Sequence, residues 1–219
     1  RRPVANMDQY SFCLLHTIEL VIKPQGDEND WPTVIPFCTL KDRILGFQDE
    51  LDNVIDNKLD SSYRQAALEA YKKMGTNQAR STMGVMTRLE TILPGYYGTK
   101  GASVIQEHLV EMYLHSGKLT SKVTSPQLPL EYLQHVLVPE VGFRLIREDL
   151  INKNSSKQYE PDLDDQAKQI MAESSNFGSY LQPLGWDDGT LLDENDDIDD
   201  SNDDHTSDND DDDDCYIIH

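Results

Sequence analysis

Lysine and arginine are missing from Trp186 to His219, the stretch that gathers 16 of the 40 acidic residues in this 219-residue chain. The formal charge of −21 is therefore concentrated at one end; the remaining 24 acids against 19 bases leave residues 1–185 near −5. A body so nearly balanced has no strongly basic face, which argues against duplex binding driven by phosphate neutralisation. Cysteine is scarce: Cys13, Cys38 and Cys215 are too few and too odd a set for a disulfide framework, and suit a reducing compartment. No apolar run reaches transmembrane length and no signal peptide opens the chain, so no membrane partner is expected. The start, Arg1-Arg2-Pro3, lacks Met and reads as a cut from a longer protein. Cys215 lies five places from the end, one too far for prenylation. Internal repeats are absent, and alternation of period two is confined to the short run "TVIPF" (Thr33 to Phe37).

What is present is helical periodicity. Met7, Tyr10, Leu14, Ile18 and Val21 share one face of a helix from Met7 to Ile22, which Pro24 and Gly26 should stop. Leu40, Ile44, Leu51 and Ile55 predict a helix from Leu40 to Ile55. Ser61 or Ser62 can cap a third helix, with Tyr63, Ala67, Leu68 and Tyr71 as its stripe and Gly75 as its terminator. Further helices are predicted from Ser81 to Ile92, from Ser103 to His115 with Gly117 closing it, and from Pro129 to Ile151 with an interruption at Pro139. Asp162 to Ser174 fits one more short helix. The fold class is all-α, a compact multi-helix orthogonal bundle with a disordered acidic C-terminal tail. Residues 1–6 are a flexible start, 7–153 the helical domain, 154–185 a linker with a short helix, and 186–219 the tail, whose polar composition cannot offset its ordering entropy.

Five pieces occur in a telling order: "FCLLHTIE" (Phe12 to Glu19), "DWPTVI" (Asp30 to Ile35), "YRQAALEAYKKMG" (Tyr63 to Gly75), "PGYYGTKGASVIQEHLVEMY" (Pro94 to Tyr113) and "SPQLPLEYLQHVLVPEVGFRLIREDL" (Ser125 to Leu150). Over roughly residues 8–153 the chain resembles the C-terminal domain of the fungal restriction of telomere capping protein 4 family. The resemblance implies a helical domain of a longer fungal protein, located in the nucleus and cytoplasm, with an influence on telomere capping. It implies no enzymatic reaction and carries no catalytic residues.

The segment "PGYYGTKGAS" (Pro94 to Ser103) concentrates the candidate chemistry. Gly95, Gly98 and Gly101 free the backbone, and the helix that follows offers unpaired N–H groups beside Lys100, an arrangement able to hold an anion or a peptide. The G-x-x-G-x-x-G spacing fits neither the P-loop nor the dinucleotide fingerprint, and no strand precedes it. A tight inter-helix corner with both tyrosine rings on the core is the competing reading. Tyr96, Tyr97 and Lys100 are the candidate partner-binding residues.

Other clusters signal less. Cys13 and His16, spaced C-x-x-H, with Cys38 further on, are a weak candidate for zinc; a structural zinc is the only cofactor this pattern points to, and otherwise none is expected. Lys72, Lys73, Arg80, Arg88 and Lys100, within a basic stretch of residues 72–122, are the candidate nucleic-acid surface, with ordinary solvated helix faces as the alternative. No nucleophile elbow or local catalytic signature marks the histidines, so an enzyme is not expected; an unrecognised hydrolase or transferase would draw on His16 or His108. The acidic tail lacks the glycine and terminal glutamate of a calcium loop and suits basic protein partners such as histones. The reading that results is a non-enzymatic interaction domain acting through protein contacts.

Overall fold

The computed structural model describes residues 6–86, 92–153 and 163–184, with side chains from residue 11 onward. Among them every regular element is helical and none is a strand. The acidic tail lies outside the described residues.

Helix α1 (Asn6–Thr17) runs through a π-helical stretch (Ile18–Ile22) into α2 (Lys23–Glu28), so the rod does not stop at Pro24 and Gly26. Pro24 sits at the start of α2, directly after the wider turn, where its missing N–H costs little. Gly26 is a point of close approach instead: a Cβ there would lie 2.1 Å from the Phe177 ring. The rod ends two residues later in a left-handed cap. Asp30 has φ +55, Trp31 N–H donates to Gly26 O at 2.9 Å and Asp30 N–H to Asp27 O at 3.4 Å. The cap turns Trp31 inward, edge-on to Phe177 with 5.3 Å between ring centres.

A short 3-10 turn (Phe37–Thr39) leads into α3 (Leu40–Gly46) and α4 (Gln48–Ile55), two helices hinged at Phe47 where one was predicted. The predicted stripe holds: Leu40, Ile44, Leu51 and Ile55 are all buried. Helix α5 (Ser62–Met74) opens with Ser61 Oγ accepting from Arg64 N–H at 3.0 Å and closes at Gly75, φ +77. Two short helices, α6 (Thr76–Arg80) and α7 (Thr82–Met86), follow; residues 87–91 of the predicted Ser81–Ile92 helix lie outside the described residues.

After the 3-10 turn Gly95–Tyr97, α8 (Gly98–Leu109) begins five residues earlier than periodicity indicated and continues as a π-helical stretch (Val110–His115). Helices α9 (Ser121–Thr124) and α10 (Pro129–Tyr132) precede another π-helical stretch (Leu133–Leu137) that passes straight into α11 (Val138–Lys153). The chain stays helical through Pro139 because the widened turn before it accommodates the absent hydrogen bond.

The largest departure is α12 (Leu163–Leu181), 19 residues long where a short helix was predicted. It packs on α11, on α8 and on the Gly95–Tyr97 turn. Leu163, Ala167, Met171 and Phe177 are buried, and the buried hydroxyls of Ser174 and Ser175 donate to the carbonyls of Ile170 and Met171 at 2.6 and 2.8 Å. The compact unit accordingly runs through Leu184. Leu40, Ile44, Leu51, Ile105, Leu109, Leu133, Leu137 and Leu145 fill its centre, each side chain contributing about 1.5–3 kcal/mol by leaving water.

Candidate functional site

The double-tyrosine corner is set against α12 by glycines on both sides. Gly95 and Gly98 have φ of +59 and +63, angles that other residues resist. A Cβ on Gly98 would lie 2.1 Å from Gly178 O, and one on Gly178 would lie 2.2 Å from Gly95 O. Backbone therefore touches backbone, and no side chain fits between. The end of α12 then serves the start of α8: Lys100 N–H donates to Gln182 O at 2.9 Å, Thr99 Oγ1 donates to the same oxygen at 3.2 Å, and Leu184 N–H donates to Thr99 Oγ1 at 3.0 Å. This corrects the anion-cradle reading, since the Lys100 N–H that would face an anion already faces the chain's own carbonyl. The Lys100 ammonium lies over the Phe37 ring, 5.1 Å from its centre.

Tyr96 and Tyr97 are 4% and 1% exposed, so neither is a direct contact residue for a macromolecule, a second correction. Their rings lie 5.0 Å apart, and both hydroxyls donate to Asp149 Oδ2 at 2.6 Å. Arg43 completes the cluster from α3. Its Nη2 reaches Asp149 Oδ1 at 2.7 Å, its Nη1 donates to the Tyr97 hydroxyl at 3.0 Å, its Nε reaches Glu148 Oε2 at 2.6 Å, and Leu145 O accepts from Nη2 at 3.2 Å. Burial above all, with the nearby Asp149 adding to it, pushes both phenols far above the ordinary tyrosine range. Arg43 and Asp149 were not signalled by the sequence: 106 positions separate them, and neither belongs to a motif.

This cluster is the floor between two clefts. One, of about 360 Å³, runs under the segment Pro32 to Pro36; the other, of about 520 Å³, is bordered by Trp31, Ile146, Leu150 and Ile170. Tyr96, Asp149 and Lys153 line both. Lys153, the last residue of α11, reaches across to the left-handed cap and donates from Nζ to Asp30 Oδ2 at 2.9 Å and to Asp30 O. Val34, on the overhanging segment, is 83% exposed.

The remaining candidates are not brought together. Cys13 and His16 are exposed on α1, His16 stacked on Phe12, while Cys38 is exposed on the Phe37–Thr39 turn. Among the described residues no group of three or more His, Cys, Asp or Glu is placed to hold a metal ion. Lys72 and Lys73 are exposed on α5. Arg80 is paired with Glu131 at 2.9 Å beside the Tyr71 ring, and Arg88 lies outside the described residues. Neither His16 nor His108 lines the two clefts. Among the described residues no helix is long and apolar enough to cross a membrane.

Residues 56–183, more than half of the chain, match the family model of the RTC4-like domain. The chain belongs to the RTC4-like family. The match starts just past α4 and ends after α12, so the RTC4-like domain includes the helix that carries Gly178 and not merely the region up to residue 153. It supplies Tyr96, Tyr97, Asp149 and Lys153, whereas Asp30 to Pro36 and Arg43 precede it. Neither a curated protein nor a solved structure matches the chain.

Proposed function

We propose that this RTC4-like domain is a non-enzymatic interaction module that serves telomere capping or chromatin maintenance through protein contacts, in the nucleus and cytoplasm. The observation that carries the reading is the pair of adjoining clefts over the Arg43–Asp149–tyrosine floor, overhung by the apolar segment Pro32 to Pro36. A recess with a rigid base and an exposed apolar edge is suited to seating part of another protein. Catalysis is the weaker reading: the charged groups at the base are satisfied by one another, Asp149 accepting from Arg43 and from both tyrosines. The acidic run after Gly185 offers a second, less selective attraction for basic proteins such as histones.

The test is co-purification of the full chain and its Val34→Asp variant from cells, with interacting proteins compared. Val34 is exposed, so a charge there leaves the fold and its circular dichroism unchanged. Loss of a defined set of partners is expected. Retention of every partner at wild-type level refutes the cleft as the contact surface.

A further inference from the structure

Lys153 shows what this recess accepts. Its ammonium is held by two oxygens of one residue, the Asp30 carboxylate and the Asp30 carbonyl; Lys153 lines both clefts and Asp30 the one bordered by Trp31. The left-handed backbone at Asp30 aims that carbonyl and carboxylate at the same point. Both partners are solvent-accessible, with side chains 90% and 48% exposed for Asp30 and Lys153. A pair so exposed is held weakly and exchanges readily. The walls just inside it are Trp31, Tyr96, Leu150 and Ile170, which suit the aliphatic stem of a long side chain. Arg43 does not oppose a cation there, because its charge is met by Glu148 and Asp149.

The geometry points to a lysine-bearing basic peptide as the ligand, one lysine of which takes the Asp30 seat in place of Lys153 and lays its stem along the half-buried Leu150 and Ile170, beside Trp31. Lys153 is then an internal competitor that keeps the mouth closed until a basic partner arrives. The chain's charge of −21 draws such a partner toward the domain before the seat selects it. The inference rests on the interaction reading above and adds the chemistry of the partner.

The experiment uses the full chain with Trp186→Phe, which leaves Trp31 as the sole tryptophan reporter. The probes are an unstructured peptide with lysines spaced by glycine and alanine, and the same peptide with every lysine acetylated. Affinity is followed by Trp31 fluorescence in this background and after adding Lys153→Ala or Asp30→Ala. The acidic tail is common to all three proteins, so its contribution cancels in the comparison. Removing the competitor should tighten lysine-peptide binding by about threefold or more. Removing the seat should weaken it by about threefold to fivefold, the worth of an exposed ion pair. The acetylated peptide should leave Trp31 unchanged. Unchanged melting temperatures show that both variants fold. Equal affinity in all three proteins, or an equal response to the acetylated peptide, overturns the inference. If that happens while Val34→Asp still strips cellular partners, the lysine seat alone falls; if Val34→Asp strips none while the peptide discriminates, the cellular contact reading falls and the seat stands.

Discussion

Two ion pairs leave the same end of α11 and are built in opposite ways. Asp149 meets Arg43 with side chains 27% and 20% exposed, and two tyrosine hydroxyls and a second carboxylate complete the cluster. Four residues further on, Lys153, about half exposed, meets an Asp30 that lies almost wholly in water. The first pair has surrendered most of its hydration, so breaking it leaves charge and hydroxyls without adequate partners. The second keeps its hydration, and either member can be replaced by solvent at small cost. The floor of the cleft is thus fixed and its mouth exchangeable, although both are drawn from one helix.

The largest effect should come from the floor's backbone. Gly178→Ala places a methyl group 2.2 Å from Gly95 O and 2.8 Å from Gly98 N, and backbone cannot rotate away as a side chain would. A loss of at least about 3 kcal/mol is expected, a fall of roughly 6–12 °C in melting temperature for a chain of this size. Differential scanning calorimetry checks it. A melting temperature within a degree of wild type would mean that α12 is not pressed against the corner, and the rigid half of the comparison would fail.

The buried phenols give the next effect. Tyr96 and Tyr97 have their ionisation raised by burial first, then for Tyr96 by its neighbour Tyr97 and by Asp149, and for Tyr97 by Asp149. A group whose folded pKa exceeds its unfolded value stabilises fully below the unfolded value, about 10 for tyrosine, and loses that contribution as pH rises past it. Each of the two phenols should therefore cost about 1.4 kcal/mol of stability per pH unit above about pH 10. In a spectrophotometric titration at 295 nm they should ionise together with unfolding, later than exposed tyrosines, and the Tyr96→Phe, Tyr97→Phe double variant should shrink that late component by their share, leaving that of Tyr63, Tyr113 and Tyr132, whose phenols burial also raises. Ordinary titration of both phenols in a folded protein would place them in water instead.

How much of this could be read from the sequence follows the distance over which each feature is decided. The stripe Leu40, Ile44, Leu51 and Ile55, the Ser61 cap and the terminators Gly75 and Gly117 depend on near neighbours, and the structure has them as read. Gly26 was misread as a stop because the ring that needs its missing Cβ is Phe177, on α12. Pro24 and Pro139 were misread because π-helical turns beside them accommodate proline, and no residue pattern marked those turns. Helix α12 was cut short because Ser174, Ser175, Asn176 and Gly178 are poor helix formers; here small size at the corner outweighs propensity. The corner itself was legible from its glycines. The burial of Tyr96 and Tyr97 was one of the two readings those residues left open, and the structure has it; their acceptor Asp149 and its partner Arg43 were not legible, since they come from α11 and α3 and carry no motif.

The smallest expected effect is also the one that tests the contrast most directly. Double-mutant cycles in urea, one on Arg43 and Asp149 and one on Asp30 and Lys153, isolate the pairwise part of each interaction from the packing of the individual side chains. The first cycle should return a coupling of about 2 kcal/mol or more, since each member is the other's charged partner in a partly dehydrated site. Some of Arg43's loss is recovered through Glu148, which keeps the value below that of a fully buried pair. The second cycle should return less than about 1 kcal/mol and shrink further in added salt, because water and mobile ions already screen it. Equal couplings would show that Lys153 is tied down as firmly as Asp149, leaving no exchangeable mouth for a basic partner to open.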